Sequence, residues 1–222
     1  MVCMFGPTSD QYGLLHRGTR VRKMHSSYRS TFRTVGDTPL AMVDANEITP
    51  LRRDYIRRDP TRRVRINTAF DEKVTILYYY PNMLPDMVDA LVDNGYRGIV
   101  IAGTGLGHVN KPLYPSLERA TKAGVHIYMT VQTLWGYTQM YVYETGREIM
   151  NLGVIPAANM LPEVAFMKLS WVLGQTDDRA EVERMMLTPV NGETTEREPY
   201  DGYLISQGAI PEVQEFLKKI KR

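Results

Sequence analysis

Between residues 74 and 131, apolar runs and amphipathic stretches alternate at a spacing that few folds accommodate. Residues 74–80, 99–102 and 125–131 are predominantly apolar, and strands of that kind lie inside parallel sheets that are covered on both faces. Residues 85–94 set Met87, Val88, Leu91 and Val92 on one helical stripe, and Gly95 falls where a helix C-terminus favours glycine. Residues 114–123 form a second helical stretch, closed in the same way by Gly124. Strand, helix, strand, helix, strand is a βαβαβ unit, so the expectation is an α/β domain with a parallel sheet and right-handed crossovers. Further helices are expected over 142–152, 161–173 and 180–187, the last capped by Thr176-Asp177-Asp178.

The first third differs in character. Short strands are expected at 2–5, 14–16, 19–24, 40–43 and 48–51, with turns at Gly6-Pro7-Thr8-Ser9-Asp10 and Asp44-Ala45-Asn46. Lysine and arginine outnumber acidic residues by 7 over residues 1–70, and acidic residues lead by 5 over 71–222. That reversal near Asp71 marks a domain junction. The expected organisation is 1–50 as the remnant of a first domain, 51–73 as an arginine-rich linker, and 74–222 as the α/β domain. A strand that begins at residue 2 suggests that a larger domain precedes it. The linker carries Arg52, Arg53, Arg57, Arg58, Arg62, Arg63 and Arg65 around Pro60. A solvated connection explains it. So does a contact with nucleic acid or an acidic partner, although no aromatic interleaving points to a single-strand binder.

Composition narrows the class. The 222 residues are 43% hydrophobic, which suits one medium domain or one domain plus part of a second. There is no apolar run long enough to span a membrane and no signal-peptide pattern, so no membrane partner is expected. Cys3 is the sole cysteine, which rules out an internal disulfide, leaves little room for a cysteine zinc site and fits a cytoplasmic setting.

Two places carry chemistry. The loop Ala102-Gly103-Thr104-Gly105-Leu106-Gly107-His108 follows a buried strand, at the sheet end where α/β folds bind ligands. Its alternating glycines would let backbone approach a ligand, and a tight strand-to-helix turn explains them equally well. The third glycine comes one residue too early for a dinucleotide fingerprint. The second place is Lys23. In an extended segment Val21 and Lys23 share one face and Arg20 and Arg22 the other. A lysine on an apolar face near other cations would lose its proton readily and serve as a base, whereas a snorkelling surface lysine would not.

The string HRGTRVRKMHSSYRSTF, followed by DTPLA, resembles the middle of the asparaginase family, where a strand leads to an essential lysine and then to small hydroxyl residues. GYRGIVIAGTGLGHV resembles the family's helix, strand and loop beyond the domain junction. The long stretch from MTVQTLWGYTQ to LSWVLGQTDD, and MLTPVNGETTERE after it, resemble the branch that serves archaeal tRNA-dependent amidotransferases.

The resemblance implies an asparaginase-like fold and an amidase that converts glutamine or asparagine to the acid and ammonia. In the family a threonine hydroxyl attacks the amide, a second threonine, an aspartate and a lysine assist, and backbone N–H groups hold the oxyanion. Lys23 falls at the position of the catalytic lysine. His108 and Thr104 fall where relatives place substrate-side residues, with histidine standing where the family has asparagine, and Tyr143 and Glu144 lie near another intersubunit segment. The family's Thr-Gly-Gly-Thr and Gly-Thr-Asp-Thr strings are both missing from these 222 residues, and the chain alone is expected to be inactive. No cofactor is implied in this chain. ATP and magnesium are implied for a partner, the E subunit of the amidotransferase, with indirect association with tRNA(Gln) and a homodimer within a heterotetramer. A piece of a stand-alone L-asparaginase and a non-catalytic assembly module are the alternatives.

Overall fold

The computed structural model describes residues 1–6 and 11–199. Most of the expected turn at residues 6–10 and the end of the chain from 200 lie outside the described residues. The chain divides into two compact units, one made of Met1–Arg65 with the chain from Thr195, the other of Ile66–Thr194.

The first unit is built from short antiparallel strands: β1 (Val2–Phe5), β2 (Tyr12–His16), β3 (Val21–Lys23), β4 (Phe32–Thr34), β5 (Ala41–Asp44) and β6 (Ile48–Pro50). Four of them form a sheet in the order β1-β2-β5-β6, and β3 pairs with β4 in a separate ribbon. The Asp44 carboxylate accepts from the backbone N–H groups of Asn46 and Glu47 at 2.7 and 3.0 Å, which closes the expected β5–β6 hairpin. Asp37, 4% exposed, is paired with Arg52, whose guanidinium also grips Asp54 at 2.5 and 2.6 Å. Thr195 accepts from Arg20 at 3.1 Å, so Thr195 belongs to this unit and not to the α/β domain, whose expected extent of 74–222 is too long.

The second unit holds β7 (Val74–Tyr78), α1 (Asp86–Asp93), β8 (Gly98–Gly103), α2 (Tyr114–Lys122), β9 (His126–Val131), α3 (Glu144–Asn151), β10 (Ile155–Pro156), α4 (Pro162–Leu173) and α5 (Arg179–Leu187). The sheet is parallel throughout, in the order β10-β9-β8-β7. The three apolar runs are its strands, as their composition requires. Side chains alternate across it. Ile99, Ile101, Ile127 and Met129 pack on one side with Val88, Leu117 and Ile149, and Val100 and Tyr128 pack on the other with Leu169, Val172 and Met186. Burying one such aliphatic side chain contributes roughly 1.5–3 kcal/mol, so these two layers hold the fold. Gly98 admits the close approach of α4, because a Cβ there would lie 2.8 Å from the Leu169 side chain.

The connection is not free as far as residue 73. Asp71 N–H donates to Ser170 O at 2.8 Å, the Ser170 hydroxyl donates to Asp71 O at 2.6 Å, and the Gln175 amide donates to Ala69 O at 2.8 Å. These bonds stitch the segment after Ile66 to α4. The α3 helix starts at Glu144 rather than 142, because Arg147 reaches back to the carbonyls of Tyr141 and Val142 at 2.7 and 3.2 Å and Tyr143 is extended.

Candidate functional site

β8 delivers the glycine loop to the C-terminal end of the sheet, and there the backbone closes on itself. The Thr104 N–H donates to His108 O and the His108 N–H to Thr104 O, both at 3.0 Å, and the Thr104 hydroxyl donates to His108 O at 3.3 Å. Gly105 and Gly107 take φ of 52° and 100°, so glycine is needed here to make a turn. The loop is also seated from below. Gly107 lies over Met129 and Met140, where a Cβ would come within 3.0 Å of Met129, and the Gln139 N–H donates to Leu106 O at 2.9 Å.

The loop therefore presents Thr104 to solvent and holds His108 half-buried. His108 Nδ1 lies 3.3 Å from the Thr145 hydroxyl, and its ring sits 5.7 Å from that of Tyr143. His108 Nε2 is buried and meets no hydrogen-bond partner among the described residues. Leaving such an atom unsatisfied costs roughly 1–3 kcal/mol, so the histidine is disposed to bind a polar group. α3 supplies the neighbours. Thr145 O accepts from the Tyr114 hydroxyl at 3.2 Å, and Glu148 pairs with Lys111 at 2.9 Å. Burial, with Glu148 beside it, holds the Tyr114 phenol above its ordinary range and therefore protonated. Tyr143 and Glu144 are both exposed. The assembly can donate and accept hydrogen bonds toward a polar ligand.

Sequence reasoning missed Gln132. Its side-chain amide donates to Ala102 O at 2.8 Å and to Tyr79 O, and its backbone N–H donates to Gly103 O at 2.9 Å. One residue thus joins the ends of β7, β8 and β9 beneath the loop. The signal was a lone amide directly after a buried strand, level with the end of its neighbour.

Lys23 belongs to the first unit. Of the two readings of its surroundings the structure has the surface one: Val21 is half-buried and Lys23 is exposed, opposite Phe32. β3 has only three residues and pairs with β4 alone, and a two-stranded ribbon cannot cover both of its faces. Deeper in this unit His16 is 1% exposed, with Nδ1 2.9 Å from the Thr34 hydroxyl. Burial, helped by nearby Arg33, lowers the His16 imidazole to about 4.

Residues 73–186 match the model of the glutaminase/asparaginase C-terminal domain. The chain is 50% identical over 205 residues to the D subunit of the glutamyl-tRNA(Gln) amidotransferase of Thermococcus kodakarensis, and 48% to that of Pyrococcus abyssi. These alignments cover 92% of this chain and 46% and 47% of the relatives, so the chain spans about half the length of the curated relatives it matches. Among solved structures, the thermostable L-asparaginase of Thermococcus kodakarensis aligns with a TM-score of 0.73 and 28% identity, over 83% of this chain and 55% of that one. L-asparaginase I of Vibrio cholerae aligns with a TM-score of 0.69 and 24% identity over 87% and 57%, a likeness of fold.

Proposed function

Because the chain belongs to the glutaminase/asparaginase family through its C-terminal domain, we propose that it is part of a glutaminase subunit that releases ammonia from glutamine for amidation of glutamyl-tRNA(Gln). One observation carries this reading: identity stays near 50% to the amidotransferase relatives over 92% of the chain, against 28% to the L-asparaginase of known structure. The reaction in the complete protein is acyl transfer. A hydroxyl adds to the side-chain amide carbon, the oxyanion collapses with loss of ammonia, and water then cleaves the ester to glutamate. In this reading Lys23 moves the proton of the attacking group. His108, through Nε2, and Thr104 form part of the substrate wall. The partner is the E subunit of the amidotransferase, which would bring ATP and magnesium and act on tRNA(Gln), and the setting is the cytoplasm.

The experiment compares the chain alone with the same chain joined to a segment bearing both threonine strings, assayed for ammonia from glutamine and from asparagine. The chain alone should release none, and the joined protein should prefer glutamine. Ammonia release by the 222 residues alone, or a joined protein that prefers asparagine, would count against the reading.

A further inference from the structure

The arginine-rich segment remains without a role in the amidase chemistry. Arg53, Arg57, Arg58, Arg62, Arg63 and Arg65 are all exposed and make no ion pair or side-chain hydrogen bond among the described residues. Arg52, by contrast, is occupied by Asp37 and Asp54. From residue 55 to 70 the one acidic residue is Asp59, and it is used locally. Its carboxylate accepts from the Thr61 hydroxyl at 2.6 Å and the Thr61 N–H at 2.9 Å, bonds that hold it below its usual range as a fixed anion. Arg62 N–H donates to Asp59 O at 3.2 Å, so the chain turns between the pairs Arg57-Arg58 and Arg62-Arg63. Thr61, Arg62, Arg63, Val64 and Arg65 line an open hollow of about 780 Å³.

Holding this many cations together without counter-charge is unfavourable by itself, and it favours a polyanionic partner. The segment has no lysine. Guanidinium groups suit phosphate because each can donate two parallel hydrogen bonds to it. A membrane surface fits poorly, because no helix forms over residues 51–70 to present an apolar face. We propose that residues 53–65 form an RNA-backbone contact that grips phosphates of the tRNA substrate, a proposal that rests on the tRNA-linked reading above. Tyr55 is the one aromatic side chain in this stretch, so the grip reads charge and not base sequence.

The test is fluorescence anisotropy of labelled tRNA(Gln) transcript titrated with the 222-residue chain at about 50 and about 200 mM KCl. The comparison is the variant with Arg57, Arg58, Arg62 and Arg63 all changed to Gln. The parent should bind, with affinity falling steeply as salt rises. The variant should bind at least tenfold more weakly at low salt, and its log–log salt slope should be shallower by about 3. Its melting temperature should match the parent's, because these four side chains are exposed and unpaired among the described residues. Absence of parent binding up to ~100 µM at low salt overturns the proposal, as does a variant with the parent's affinity and slope. Better competition by polyglutamate than by unlabelled tRNA also overturns it and points to an acidic protein. Ammonia release by the joined protein separates the two ideas. Release without tRNA binding sinks the contact and leaves the amidase reading standing. Binding without release supports the contact and sinks the amidase reading.

Discussion

Lys23 stands at the end of β3 with its side chain in solvent, so its removal tests chemistry with little effect on folding. In the joined amidase, Lys23→Met should lower turnover by ~10³-fold, about 4 kcal/mol of transition-state stabilisation, and leave the melting temperature unchanged. Arg22→Gln should do far less. Turnover of Lys23→Met within about tenfold of the parent, ~1.4 kcal/mol, would make the lysine structural. His16 makes a pH prediction. Its imidazole titrates near 4 in the fold and near 6.5 in the unfolded chain, so the unfolded state binds more protons between those values. Stability is therefore full above about 6.5 and declines as pH falls toward 4, by about 2 kcal/mol from this group between pH 7 and 5. Urea midpoints at the two pH values should move less for His16→Asn, which keeps a polar atom toward Thr34. Alternation alone left Lys23 open between a buried and a surface face, because a three-residue strand carries a period without specifying a layer to bury it. The His108–Thr145 contact joins positions 37 apart, a distance at which local pattern says nothing.

At the scale of elements, the long apolar strands and the glycine-closed helices were legible because burial on both faces leaves a continuous apolar run and helix ends need positive φ, as at Gly95 and Gly124. β4 and β10 were not. β4 is three residues in an arginine-rich stretch and β10 is two residues ending in proline, so neither has the length to show a period. The α4 helix carries a feature that periodicity conceals, a lysine inside the core. Lys168, 8% exposed, donates to Glu193 at 2.6 Å and to Thr188 O at 2.7 Å. Burial alone would raise the Glu193 carboxyl, but Lys168 and the Asn191 and Val190 N–H groups outweigh it and leave the group below its ordinary value. The pair fixes the turn from 188 to 193 against the helix. Lys168→Met should cost about 3–5 kcal/mol, because it strands a buried carboxylate, and adding Glu193→Gln should recover most of that loss. Equal losses in the single and double variants, read by urea denaturation, would show that the lysine matters only for packing. With a depressed carboxyl, the pair's contribution is present above the unfolded carboxylate value near 4.5 and is lost as pH falls below it.

At the scale of the whole molecule, the βαβαβ run and the charge reversal near Asp71 indicated two regions, and the chain divides between Arg65 and Ile66. The exact place is set by hydrogen bonds that join Asp71 to α4 and Ala69 to Gln175 just beyond it, which composition does not report. Those bonds decide where a protease can work. Trypsin requires an arginine or lysine on an accessible, extended backbone, which residues 53–65 offer repeatedly. The next basic residue is Lys73, whose N–H is held by Asp71 at 2.7 Å and whose ammonium lies 5.4 Å from the Tyr96 ring centre. Brief digestion should therefore nick the chain up to Arg65 and then stall, and mass spectrometry should find a core fragment that begins at Ile66. A core beginning at Val74 instead would mean that the stitch to α4 opens readily. The same arginines that would hold RNA are thus the sites of cleavage, and tRNA bound there should slow the nicking, a footprint that needs no amidase assay at all.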